Sequence, residues 1–249
     1  MEILGYSERG IINSLFYEMR FSPNNLQLLN NFLSLVSFPY RRVNFEISSV
    51  KILIEQSFSD FGDADTVLLV NNHGNKQVIF IEAKVKTFQK PYWSIFEEFE
   101  EFKKGIEKNN VNSSNLFVQI YHKVGFIKAL QIGGLRQLQN GVQFPKCSSK
   151  KLRKIGNNEV VLKAVKQLRS CKDALFIALV PDNISNLKDF YQNTLKDYSP
   201  DGFQEWDIRN WGYFSWAQVE EFSKRYNLRG TLKTFEWNKG QIYEKGTVP

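Results

Sequence analysis

The 249 residues are 42% hydrophobic, 24% charged and 14% aromatic, with a formal net charge of +7. This profile suits one sizeable core and excludes a disordered or low-complexity chain. No apolar stretch approaches the ~20 residues of a membrane span, and the N-terminal MEILGYSERGIINSLF lacks the basic and apolar regions of a secretion signal, so a cytoplasmic protein is expected. Only two cysteines (Cys147 and Cys171) and two histidines (His73 and His122) are present, without metal-ligand spacing, which argues against a zinc or disulfide framework.

In chain order, Ser7 is placed to N-cap a helix whose apolar positions Ile11, Ile12, Leu15, Phe16 and Met19 recur at helical spacing. Ser22-Pro23 ends it and starts a second helix, roughly Asn24 to Val36. Val50–Gln56 (VKILIEQ) has strand character, as do Thr66–Val70 (TVLLV) and Gln77–Val85 (QVIFIEAKV), the last two joined by a hairpin turn at NNHGN. Helical patterns follow at Tyr92–Glu107 and Asn115–Leu130. Gln131–Asn158, rich in glycine and basic residues, reads as a loop-rich insertion leading to a helix near Glu159–Arg169. Ala174–Val180 (ALFIALV) fits a buried strand, followed by a helix near Ile184–Lys196, a strand near Tyr213–Ser215 and a helix from Ser215 to Tyr226. The expected architecture is a single α/β domain over residues 1–249, a mixed β-sheet flanked by helices, with a basic insertion at about 131–170.

Glu82 and Lys84 stand two apart on the third strand, so they share a face, while Ala83 points the other way. Four apolar residues, Val78 to Ile81, lead straight into Glu82, and charges at the end of a buried strand are costly unless paired or metal-bound. Asp65 precedes the apolar run of the neighbouring strand, and the hairpin returns it beside Glu82. Asp63 competes for that place. Hydrolysis of a phosphodiester calls for a hard cation with oxygen ligands, an oriented water and positive charge near the developing phosphorane. Asp65, Glu82 and the Ala83 carbonyl are the candidate ligands for Mg²⁺ or Mn²⁺, and Lys84 is the candidate to orient or deprotonate the water or to stabilise the transition state.

From Lys128 to Lys172 eleven basic residues face one acid, Glu159, so this segment carries the whole positive excess. Such a patch suits a polyanion, and Lys146, Lys150, Lys151, Arg153 and Lys154 are the candidate nucleic-acid contacts.

The pair of segments GDADTVLLV and VIFIEAKV, in an order of helix, strand meander, helix and strand, resembles the core of the PD-(D/E)XK nuclease superfamily. That resemblance implies a restriction-endonuclease-like fold, a metal-dependent endonuclease or other hydrolase, and DNA as the expected partner. It does not decide whether the chain forms a homodimer. It also implies a glutamate from the first helix at the metal, for which Glu8 is the first choice and Glu18 the second, with Glu55 as a further neighbour. A residue that meets DNA from the helix after the Glu-x-Lys strand is implied too, and Gln119 holds that place. Ala64 stands where the motif has proline. Two other classes fit the same residues: a nucleic-acid-binding module with this fold but no turnover, and a protein-interaction component of a multi-subunit system.

Overall fold

The computed structural model describes residues 3–87, 92–144, 152–200 and 206–242. Helices α1 (Ser7–Phe21) and α2 (Asn25–Leu33) lead into strands β1 (Ile47–Ser57), β2 (Asp63–Asn72) and β3 (Asn75–Ala83). Then come α3 (Ile95–Glu107), α4 (Leu116–Asn140), a short ribbon of β4 (Val142–Gln143) and β5 (Leu152–Arg153), and α5 (Glu159–Leu168). Strand β6 (Asp173–Val180), α6 (Ile184–Asp189), β7 (Trp211–Ser215), α7 (Trp216–Arg225), α8 (Arg229–Trp237) and α9 (Lys239–Ile242) complete the order.

Five strands form one mixed sheet in the order β1-β2-β3-β6-β7. The meander β1-β2-β3 is antiparallel, and β3-β6 and β6-β7 are parallel. Period-two alternation sorts its side chains into two cores. Val78 and Phe80 of β3 with Phe176 and Ala178 of β6 pack under α3, α4 and α5. Ile79, Ile81, Leu175 and Ile177 pack under α1, α2 and α7. Glu82 follows Val78 and Phe80 in phase, so it and Lys84 point to the face that α4 covers.

Several boundaries differ from the sequence reading. Ser7 does not cap α1 with its side chain. Tyr6 is the N-cap residue, and Ser7 takes a left-handed φ of 61° with its N–H donated to Asn238 Oδ1 at 2.7 Å. The loop expected from Gln131 is helical as far as Asn140, because α4 continues past a break at Gly134, whose φ of 64° and ψ of −155° only glycine accommodates easily. The helix expected to reach Lys196 becomes a π-helical turn at Phe190–Thr194. Helices α8 and α9 carry no sequence expectation. Among the described residues, no helix is long and apolar enough to cross a membrane.

Strand β7 passes directly into α7 through a capping box in which the Ser215 hydroxyl accepts from Gln218 N–H and Gln218 Oε1 accepts from Ser215 N–H. The next residue, Trp216, donates its indole N–H to the Lys84 carbonyl at 2.7 Å, so this cap also fixes the end of β3. Ser215→Ala is expected to lower stability by about 1 kcal/mol, read from urea denaturation.

Candidate functional site

The ladder between β2 and β3 ends at Thr66 opposite Ile81. One residue earlier, Asp65 stops pairing through its backbone, and its Oδ2 accepts the Ala83 N–H at 2.8 Å. The side chain thus replaces a ladder bond and brings the carboxylate level with Glu82. Asp63 is solvent-exposed and contributes its carbonyl instead, so the structure brings Asp65, and not Asp63, to the end of β3.

Glu82 is only 1% exposed, and neither of its oxygens has a hydrogen-bond partner. Its nearest cation is Lys123 of α4, whose Nζ lies 3.5 Å from Oε1. Lys123 is 0% exposed and also donates to the Phe61 carbonyl at 3.1 Å and the Asp63 carbonyl at 2.9 Å. Burial pushes the Glu82 carboxyl up to about 7; Lys123 pulls it down, Asp65 raises it and Lys84 lowers it. Burial also raises Asp65, against the opposing pull of Lys84 and the Ala83 amide, with Glu8 adding to the rise.

Lys84 is held from three sides. Its ammonium donates to Gln119 Oε1, its N–H to the Leu179 carbonyl at 2.9 Å, and its carbonyl accepts from Trp216. Gln119, expected to meet DNA, is therefore engaged by Lys84. Gln119 and Lys123 are four residues apart and share one face of α4, so a single helix grips both charged residues of the Glu-x-Lys strand.

The chain matches no family model, no curated protein and no solved structure.

The remaining acids fall apart from this pair. Among the described residues, no three His, Cys, Asp or Glu side chains come together closely enough to hold a metal ion. Glu8, in the first turn of α1, is near enough to raise the Asp65 carboxyl but does not complete a three-acid set. Glu18 lies further along α1, where it accepts from the Gly230 and Thr231 N–H groups and the Thr231 hydroxyl at 2.6 to 2.8 Å, capping the start of α8. A carboxylate among three donors at a helix N-terminus is committed there. Glu18→Ala should therefore cost about 1 to 2 kcal/mol in thermal or urea unfolding and leave Mn²⁺ affinity unchanged. Glu55 is exposed, sits at a left-handed φ of 52°, and faces α1 through Arg9 at 3.5 Å and Asn13 at 3.4 Å.

Of the basic candidates, Lys146, Lys150 and Lys151 lie outside the described residues. Arg153 and Lys154 are docked on the turn at Ser59–Phe61: Arg153 donates to the Asp60 carbonyl, and Lys154 exchanges backbone bonds with the Asp60 side chain and N–H. That turn runs into β2, and its Phe61 carbonyl also receives Lys123. Arg153 and Lys154 are thereby tied next to the paired acids. His122 is buried beside Tyr121 and Phe144, and burial holds its imidazole well below its usual range, which fits a packed neutral side chain.

Sequence reasoning missed Lys123. The available signal was a lysine inside the apolar helical run FVQIYHKVGFIKAL, one turn beyond Gln119.

Proposed function

We propose that the chain is a divalent-metal-dependent nuclease of the PD-(D/E)XK type, with a restriction-endonuclease-like fold, that hydrolyses phosphodiester bonds in DNA. The observation that carries this reading is the Ala83 N–H bond to Asp65, because it sets a second carboxylate beside Glu82 at the point where Lys84 follows. The antiparallel meander followed by parallel β6 and β7 agrees with the same fold.

The donor set fits Mg²⁺ or Mn²⁺. Glu82 Oε2 is buried with no hydrogen bond, and Asp65 has one oxygen outside its bond to Ala83. Extended backbone sends the Ala83 carbonyl to the same edge as its N–H, toward Asp65. A small hard cation binds through one or two carboxylates and keeps water and phosphate oxygens in its remaining positions, so two acids suffice. Bound there, the cation would polarise the phosphate and lower the pKa of a bound water. Asp65 and Glu82 would be its carboxylate ligands and supply the negative charge. Lys84, steered by Gln119, presents its ammonium to the water or to the phosphorane charge. Arg153, Lys154 and the basic residues before them would neutralise phosphates along the strand.

Purified protein incubated with plasmid and linear DNA in Mg²⁺ or Mn²⁺ is expected to cut both or one of them, and to be inactive in a chelator. No cleavage of either substrate with either metal contradicts the reading. One observation favours a module that binds DNA without turnover, namely the contact of Glu82 with Lys123 in place of a third acid. That alternative predicts salt-sensitive DNA binding, unchanged by Glu82→Gln, with no cleavage.

A further inference from the structure

We propose that Lys123 is a built-in counter-cation to Glu82 that restricts the site to a single divalent metal ion. The inference rests on the reading above that Asp65 and Glu82 bind a metal.

Two of the three directed donors of the Lys123 ammonium go to the Phe61 and Asp63 carbonyls, and the ammonium also lies 3.5 Å from Glu82 Oε1. The side chain is 0% exposed and belongs to the inward face of α4, flanked by buried Tyr121 and Val124, so it has no route to solvent. Its two carbonyl partners bracket Gly62, whose φ of 80° turns the chain toward β2. Lys123 therefore links the turn that delivers Asp65 to the carboxylate that ends β3.

A carboxylate that bridges two cations most simply gives one oxygen to each. Here Glu82 Oε1 faces the fixed ammonium at 3.5 Å, and Oε2 has neither an ion pair nor a hydrogen bond among the described residues. A second dication at Oε1 would lie within a few ångströms of that ammonium in a poorly hydrated place, where like charges repel strongly. The formal charges agree. Asp65 and Glu82 are matched by Lys84 and Lys123 before any metal arrives, and no third carboxylate joins them among the described residues. One dication is accommodated and two are not. Lys123 acts in this way as a positioning residue, since it touches Glu82 and no reacting atom.

The test is a Mn²⁺ titration of the full chain at pH 7.5, with free Mn²⁺ counted by electron paramagnetic resonance and affinity taken from calorimetry. Wild type is expected to bind one Mn²⁺ at this site. Lys123→Gln, whose amide can still donate to a carbonyl of the turn, is expected either to bind a second Mn²⁺ or to bind the first at least about tenfold more tightly, once the competing cation is gone. Lys123→Met should behave alike if circular dichroism finds it folded. Two Mn²⁺ at the wild-type site overturn the inference whatever the variants do, and so does a folded Lys123→Gln with one Mn²⁺ at unchanged affinity. Wild type that binds no Mn²⁺ overturns the metal reading itself, an outcome separate from the other two.

Discussion

Lys84→Ala is expected to lower the single-turnover rate of DNA cleavage by about 10²- to 10³-fold while leaving DNA affinity within about twofold of wild type. The expectation follows from how much structure is devoted to one ammonium. Gln119 Oε1 accepts a hydrogen bond from its ammonium, the Leu179 carbonyl accepts from its N–H, and the Trp216 indole donates to its carbonyl, so the side chain leaves β3 in a fixed direction just past the two acids. A cation needed only for DNA affinity would do as well on the surface, where it costs nothing to hold. Removing it should therefore reduce stabilisation that appears at the transition state and spare ground-state binding. Rates measured on a linear duplex, with affinity from fluorescence anisotropy in Ca²⁺, separate the two. An unchanged rate removes Lys84 from the chemistry, and a parallel loss of affinity makes it a binding residue.

Glu82→Gln is expected to stabilise the folded protein by about 3 kcal/mol at pH 8, and by almost nothing near pH 4.5. In the unfolded chain this carboxyl titrates in the ordinary glutamate range, whereas burial in the folded chain pushes it up to about 7. The folded state therefore holds the proton more tightly, and the group's contribution to stability is intact below about pH 4.5 and falls as pH rises to about 7. Glutamine keeps the shape and never ionises, so it escapes that loss. His122, whose imidazole is held low by burial, destabilises the fold in acid, but it does so equally in both proteins and cancels in the difference. Urea denaturation at the two pH values gives the comparison. A difference that does not depend on pH would mean that Glu82 sits ionised at no cost. The expected, pH-dependent difference would mean that the site gives up stability for function, since the variant that folds best should be the one that cannot cut.

The sheet and the Glu-x-Lys pair were legible because both rest on local patterns. The run Val78–Ile81 announces a strand buried on both faces, period two puts Glu82 and Lys84 on one side, and the NNHGN turn fixes the hairpin that returns Asp65. The choice between Asp63 and Asp65 was not local. It turned on which side chain takes the Ala83 N–H after the ladder ends. The place of Glu18 was not local either. Glu8 and Glu18 lie on the same helix, yet α1 and α8 run alongside each other so that Glu18 meets the start of α8, a helix whose existence the sequence LRGTLKTFEW did not announce. Lys123 reads as a surface residue by composition, because its burial depends on Phe61 and Asp63, some sixty positions away. Gln119, expected from the resemblance to meet DNA, bonds Lys84 through its Oε1.

The central claim is that a divalent cation belongs between Asp65 and Glu82. Crystals soaked in Mn²⁺ and measured for anomalous scattering test it most directly. The predicted result is one anomalous peak in contact with carboxylate oxygens of both Asp65 and Glu82, lost in Glu82→Gln crystals treated alike. A peak elsewhere, or none between these two carboxylates at millimolar Mn²⁺, would contradict it.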